Sequence, residues 1–416
     1  MSSPTVHIAE AAEVRADYPQ QPVVDYDRHR TIFSANQLST PRLLLDLDVV
    51  AAQYRHLQLL VPGGEIYYAV KANAEPAVLS LLTSLGCGFD VASPGEIAAC
   101  LRAGASPDRL SYGHPVKKSA DISHAFGIGI RLFAFDSAAE LDKLALAAPG
   151  CEVMCRVTVG SAGAQWPISR KFGCAPHEAV SLLRYAQSLG LRPAGITFHV
   201  GSQQREPARW HDAIGVMAGI ISALAAEGIG IDILNVGGGL PARYDPELPN
   251  LASYAQAMLT GLQRHELAPS RLIVEPGRYL VADAGLIRSE VVLAVTRAEP
   301  SGHRWIYVDV GRFSGLAETE GEAIRFPLVA MRGDRPAPGP LAEAVVAGPT
   351  CDSADTLYEL NRPLLAQVSE GDYLDFLATG AYTSTYSSVG FNGFEPLPTS
   401  CFAGSRPQLI AAEGQP

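Results

Sequence analysis

From about residue 41 to about residue 280 the chain repeats one pattern. A short apolar run ends at small or polar residues, and a segment of about a dozen residues with helical periodicity follows. The apolar runs lie at 66–70, 88–91, 110–113, 131–135, 153–159, 194–199, 232–236 and 271–275, which predicts eight strands. Between them, Pro94 to Ala103, Ser137 to Ala148, Ala175 to Leu189, Trp210 to Ala226 and Leu251 to His265 carry the Ala, Leu and Glu content and the spacing of amphipathic helices. Continuous apolar runs mark strands buried on both faces, as in parallel sheets wrapped by helices. Such alternation fits a closed (β/α)8 barrel of the TIM type or an open doubly wound sheet.

The residues at the strand ends favour the barrel, because side chains that do chemistry on that fold gather at the C-terminal ends of its strands. Lys71 follows the first strand, Asp90 lies at the end of the second, His114 follows the third and Asp136 the fourth. Arg156 lies within the fifth, His199 ends the sixth, Gly237-Gly238-Gly239 follows the seventh, and Glu275-Pro276-Gly277-Arg278 closes the eighth. Lys71 stands out: the run Ile66 to Val70 stops at a lysine followed by Ala72-Asn73. It is read either as the first solvated residue after a strand or as an amine whose pKa desolvation lowers enough for it to condense with a carbonyl.

Past residue 283 the pattern changes to β-branched and aromatic runs at 290–295, 305–310, 343–347 and 372–376, separated by Gly- and Pro-rich turns such as Arg332 to Pro340. This predicts a separate C-terminal β domain of sandwich or barrel-like form. The expected division is 1–44, an N-terminal segment assigned to the β domain, 45–282, the barrel, and 283–416, the β domain. The strand at Pro41 to Leu47 has two readings, pairing into the β domain or leading into the barrel.

Composition narrows the function classes. At 416 residues with 47% hydrophobic content the chain has material for a sizeable core. A formal charge of −11 and no Lys or Arg run argue against nucleic acid or an anionic membrane surface as the main partner. Seven cysteines without regular spacing suggest neither a disulfide framework nor a metal site, and point to reduced thiols in a cytoplasm. Met1 to Arg15 shows no signal pattern, and no apolar stretch is long enough to span a bilayer.

Gly237 to Gly239 lets backbone amides approach an anion, although a plain tight turn explains three glycines equally well; Gly277 and Arg278 after the neighbouring strand tip the reading to a phosphate. Glu275, ending an apolar run, needs a partner. Arg278 in a salt bridge would serve, as would a heterocyclic nitrogen kept protonated by the carboxylate. His199 beside Gly201 and Ser202 is a satisfied core histidine or a stacking and proton-transfer group. Cys351, flanked by Asp352 and Asp355, is not set up as a nucleophile, since nearby negative charge raises a thiol pKa; it can still donate a proton. Asp352 and Asp355 also suit turn formation.

Taken together, Tyr68 to Asn73, Gly88 to Ser93, Lys171-Phe172-Gly173, Phe198 to Gln203, Val236 to Gly239, Glu275 to Arg278, Gly348 to Asp352, Gly380 to Thr383 and Phe391 to Phe394 resemble the motifs of the ornithine/lysine/arginine decarboxylase family. These are pyridoxal 5'-phosphate (PLP) enzymes with an alanine-racemase-like barrel, and the resemblance runs from about residue 40 to 395. It implies that Lys71 holds the cofactor covalently, that His199 stacks on its ring and that Glu275 pairs with its nitrogen. Ser202, Gly237, Gly238, Gly239, Gly277, Arg278 and Tyr382 would cradle the phosphate. Asp90, Arg156 and the carboxylate of Glu96 would lie near the lysine.

The resemblance further implies that Cys351 protonates the product carbon, and that Asp352, Glu322 and Phe391 meet the substrate, a basic L-amino acid such as ornithine, giving putrescine, or lysine, giving cadaverine. Glu318 or Glu320 replaces Glu322 if the register shifts. A homodimer with shared sites is implied, Lys171 and Asp355 pairing across its interface. Phe313 stands where animal members carry tyrosine. One methylene separates ornithine from lysine, a difference of only about 1–3 kcal/mol in a pocket. The alternative substrates are diaminopimelate, against which Cys351-Asp352-Ser353 argues because those enzymes show Cys-Glu-Ser, and a modified amino acid of a specialised pathway. A non-catalytic homologue is disfavoured because Lys71, His199, Glu275 and Cys351 are all present. The loop Gly160 to Ile168 has a composition of its own and reads as mobile.

Overall fold

A computed structural model of the protein describes residues 24–166, 171–298, 302–365 and 368–410, with only the backbone for 360–365. The first 23 residues, including the N-terminal stretch searched for a signal, and positions 167–168 of the Gly160 loop lie outside them. Two compact units divide the described chain: residues 53–241 with 247–277, and residues 24–52 with 242–246 and everything from 278 on.

In the first unit eight parallel strands close into a barrel: Gly64–Ala69, Gly88–Val91, Leu110–Tyr112, Leu132–Phe135, Glu152–Val157, Arg192–Phe198, Ile233–Asn235 and Arg271–Val274. Closure is direct, with Ile273 of the last strand in register with Glu65 of the first. The open-sheet alternative is thereby excluded. Tyr67, Leu132, Met154, Ala194, Ile233 and Ile273 form a buried cluster, so the barrel is a packed core and not a pore.

Local sequence sets the helices between the strands. Ser93 Oγ accepts the Glu96 N–H at the start of Pro94–Arg102, and Glu96 Oε2 accepts the Ala92 N–H at 2.6 Å. Ser93 thus caps the helix while Glu96 ties down the residue before the cap, with Pro94 at the position where a helix needs no N–H. Glu96 therefore serves the helix start.

Charges at the opposite, N-terminal ends of the strands pair among themselves, with Arg271 bridging to Glu65 at 2.7 Å and Arg192 to Asp232 at 2.9 Å.

The second unit is built on a ten-stranded mixed sheet. Its spine is the twelve-residue strand Gly285–Thr296, which pairs antiparallel with Arg304–Val308 and Tyr373–Leu377. Arg42–Asp46 pairs antiparallel with the same strand and parallel with Thr399–Ala403, so the strand around Leu43 belongs to this sheet. Helix Asp27–Asn36 packs Ile32 and Phe33 against Leu44, Leu286 and Phe402. The buried Asp375 takes both Arg288, at 2.8 Å, and Arg30, at 3.1 Å, tying helix to sheet. Among the described residues no helix is long and apolar enough to cross a membrane.

Candidate active site

The C-terminal mouth of the barrel collects the residues that the alternation singled out. Lys71 sits in a single 3-10 turn, Val70–Ala72, directly after the first strand. Tyr68 Oη donates to Asn73 O at 2.9 Å and Ala69 N to Pro276 O at 3.1 Å, so the turn is fixed from both sides. The Lys71 side chain is 48% exposed, with Nζ 3.9 Å from Asp90 Oδ2. The amine is thus accessible, as a residue first solvated after a strand would be, and not desolvated.

Burial pushes the Asp90 carboxyl up, against the pull of Lys71 and Arg156. A Cβ at Gly113 would come within 1.9 Å of Asp90 Oδ1, so any larger residue there would have to push that carboxylate from its place.

His199 follows Phe198, the last residue of the sixth strand, and its Nδ1 accepts the Gly201 N–H at 2.9 Å. Burial holds the imidazole well below its ordinary pKa, with Arg156 and Lys71 adding repulsion. A neutral ring that accepts at Nδ1 carries its proton on Nε2.

Glu275, after Val274, is raised to about 7, first by burial and then by Asp90, while a hydrogen bond from Asn235 and the charges of Lys71 and Arg156 oppose the rise. Asn235 Nδ2 lies 2.5 Å from Glu275 Oε1. Between His199 and Glu275 runs the turn Gly237 to Gly239. Gly237 and Gly239 have φ of +67° and +112°, and a Cβ on them would meet Phe198 O at 1.9 Å and Gly201 O at 2.5 Å. This backbone is open only to glycine. Ser202 is buried at the start of Ser202–Gln204, which pairs with Ala164–Trp166.

The donor set fits PLP on its chemistry. An accessible primary amine, a neutral imidazole, a carboxyl that titrates near neutrality and a turn free of side chains are the four things a phosphorylated pyridine aldehyde requires. Two cations, Lys71 and Arg156, act on two carboxyls, Asp90 and Glu275, so the mouth carries no strong excess of either sign.

Most of the remaining candidates belong to the second unit. Arg278 opens the short helix Arg278–Val281 and is gripped by Glu318 through two 2.7 Å bonds, with 2% and 3% side-chain exposure. Its Nη1 also reaches Tyr244 Oη at 3.0 Å, and its guanidinium lies 4.7 Å from the Tyr382 ring centroid. Glu318, weighed from sequence only as a shifted substrate carboxylate, is the partner of this arginine.

Glu322 is bound to Arg325 at 2.7 Å and accepts the Glu359 N–H at 2.9 Å. Phe391 stacks at a tilt on Phe313, with 4.6 Å between centroids. Cys351 is exposed, its Sγ 3.4 Å from Asn392 Oδ1. Asp352 Oδ1 accepts the Ala354 N–H and caps the turn Ser353–Asp355.

Asp355 is buried and accepts Arg312 N at 2.6 Å, Thr350 N at 3.0 Å and Thr350 Oγ1 at 2.8 Å. Its carboxylate organises the Cys351 loop from within its own unit, and both oxygens are already engaged before any partner lysine is considered. Exposed Lys171 lies 5.1 Å from the Phe172 ring centroid.

Sequence reasoning passed over Asn235, Gly113 and the pairing role of Glu318. The one local sign was an asparagine ending a buried strand two residues ahead of three glycines.

Comparison with known proteins closes the question of family. The family described as "Pyridoxal-dependent decarboxylase, pyridoxal binding domain" matches residues 47–282. The lysine/ornithine decarboxylase of Selenomonas ruminantium is 33% identical over 372 residues, covering 88% of this chain and 91% of that one. The ornithine decarboxylase of Caenorhabditis elegans is 31% identical over 375 residues, 86% of each. Among solved structures, SrLDC in complex with PLP and cadaverine superposes with a TM-score of 0.80 at 31% identity, covering 92% and 94% of the two chains. The lysine/ornithine decarboxylase of Vibrio vulnificus with cadaverine gives 0.81 at 30% identity, covering 91% and 99%. The chain belongs to the pyridoxal-dependent decarboxylases, carboxy-lyases that work with pyridoxal 5'-phosphate.

Proposed function

We propose that the chain decarboxylates a basic L-amino acid, converting L-ornithine to putrescine and carbon dioxide, with L-lysine to cadaverine as the companion reaction. One observation carries the reading: accessible Lys71, neutral His199 and Glu275 with a pKa near 7 gather at one mouth of the barrel, around a turn that only glycine can form. Bound there, PLP supplies an electron sink for the pair left on the α-carbon when carbon dioxide departs.

Lys71 would hold the cofactor through its amine. His199, a neutral imidazole, would face the bound group without bringing a charge to it. Glu275 would meet the pyridine nitrogen. Asp90 and Arg156 set the charge around Lys71. Ser202, the amides of Gly237, Gly238 and Gly239, and Gly277 would receive the phosphate.

Cys351 donates the proton of its thiol to the α-carbon, held in place by Asn392. Asp352 and Glu322 recognise the distal ammonium, and Phe391 lines the aliphatic part of the substrate. Support for a basic substrate comes from the relatives named as lysine/ornithine and ornithine decarboxylases.

The reading extends to a homodimer in which the exposed Cys351–Asp352 loop of one protomer serves the site of its partner. A monomer found by sedimentation under assay conditions, in a fully active sample, refutes that extension.

The test of substrate is carbon dioxide release with identified amine products from PLP-loaded protein, offered L-ornithine, L-lysine, L-arginine, diaminopimelate and the D-enantiomers. Putrescine or cadaverine as the main product supports the reading. Release from diaminopimelate alone, or from none of them with cofactor bound, overturns it.

A further inference from the structure

Asn235 does more at this site than end a strand. It is fully buried, in register with Thr197 and Ile273 of the flanking strands, so its side chain has little room to reorient. The Gly237 N–H points at one end of its amide from 2.9 Å. A backbone N–H can only donate, so that end is the carbonyl oxygen Oδ1, and the NH2 end must face the other way. What it faces is Glu275 Oε1, at 2.5 Å. The circuit closes through the backbone, where Glu275 N donates to Gly237 O at 2.8 Å.

Orientation and charge are thereby set together. The asparagine presents a donor to Glu275, which favours the ionised carboxylate against the burial and the Asp90 charge that raise it. An aspartate in its place would still accept from Gly237 but would confront Glu275 with a second negative group. An alanine would do neither.

We propose that Asn235 is a positioning residue that couples the cofactor's two ends, orienting the carboxyl that meets the pyridine nitrogen while fixing the glycine turn that meets the phosphate. This rests on the PLP reading above.

The test uses PLP-loaded protein and two readouts other than turnover: the dissociation constant for PLP, and the pH dependence of the bound cofactor's absorbance. Asn235→Asp should weaken PLP about tenfold or more, the scale of a lost charge-assisted hydrogen bond, and should move the titration of the cofactor band to higher pH. Asn235→Ala should weaken PLP further, since the turn loses its anchor as well.

The double variant Asn235→Asp with Glu275→Gln reverses the donor and acceptor across the same 2.5 Å contact. It should restore PLP affinity to that of Glu275→Gln alone, and it keeps the test decisive if Asn235→Asp by itself fails to fold. Wild-type protein that binds no PLP sinks the reading underneath. Wild-type binding together with an Asn235→Asp variant of unchanged affinity and titration, or a double variant that binds PLP more weakly than Glu275→Gln alone, overturns the role of Asn235 alone.

Discussion

Replacing Glu318 by alanine removes the carboxylate that grips Arg278 inside the second unit. The two side chains are 2% and 3% exposed and meet through two parallel 2.7 Å bonds, so water cannot take the place of the lost partner. Leaving one member of a buried pair behind costs about 3–5 kcal/mol, a large part of the roughly 5–15 kcal/mol that holds a typical domain folded.

The protein contains its own control. Arg184 and Glu227 also form a two-bond pair, but at 54% and 38% exposure, where screening and side-chain entropy leave little net stabilisation. Urea unfolding followed by far-ultraviolet circular dichroism should therefore show a midpoint loss for Glu318→Ala several times that for Glu227→Ala. Glu318→Leu with Arg278→Met should regain much of the loss, because an apolar pair of similar volume carries no desolvation penalty. Equal effects of Glu318→Ala and Glu227→Ala would refute the reasoning, since burial would then not be what makes the pair matter.

Two further outcomes are expected. The Glu275 carboxyl has a folded pKa of about 7 against an ordinary 4.5, so the folded state holds its proton more tightly than the unfolded state. Its contribution to stability is full below about 4.5 and is lost as pH rises to about 7. In cofactor-stripped protein the stability gap between Glu275→Gln and wild type should shift in favour of the glutamine across that window, and parallel pH–stability curves would count against the assignment. Cys351→Ala should retain PLP but divert product from amine to aldehyde, read by chromatography of the reaction mixture; an unchanged amine yield removes Cys351 from the proton-donor role.

The barrel was legible because its strands are buried on both faces. Such strands read as unbroken apolar runs, and the observed bounds, such as Gly88–Val91 and Arg271–Val274, fall within a residue or two of those runs. Closure was legible from Lys71, Asp90, His199 and Glu275, each at or just past a strand end. Helix Asp27–Asn36 was not, since it buries only His29, Ile32 and Phe33 among polar neighbours, too few positions to establish a period. The strand at Leu43 was ambiguous because its partners lie some 240 to 360 residues further along the chain.

Ser93-Pro94-Gly95-Glu96 is a capping signature readable on its own, and Glu96 also lies close enough to Asp90 and Lys71 to feel both charges. Asn235, Gly113 and Glu318 escaped notice because their importance lies in contacts between segments far apart in sequence. Local spacing cannot carry a bond from Asn235 to Glu275 or from Arg278 to Glu318.

The central claim is that Lys71 is the amine that captures the cofactor. Borohydride reduction of PLP-loaded protein, followed by peptide mass mapping, tests it most directly. The account predicts a single pyridoxyl group on the peptide containing Lys71, and none in Lys71→Ala. A pyridoxyl group on another lysine, or retention of covalent label in Lys71→Ala, would contradict it.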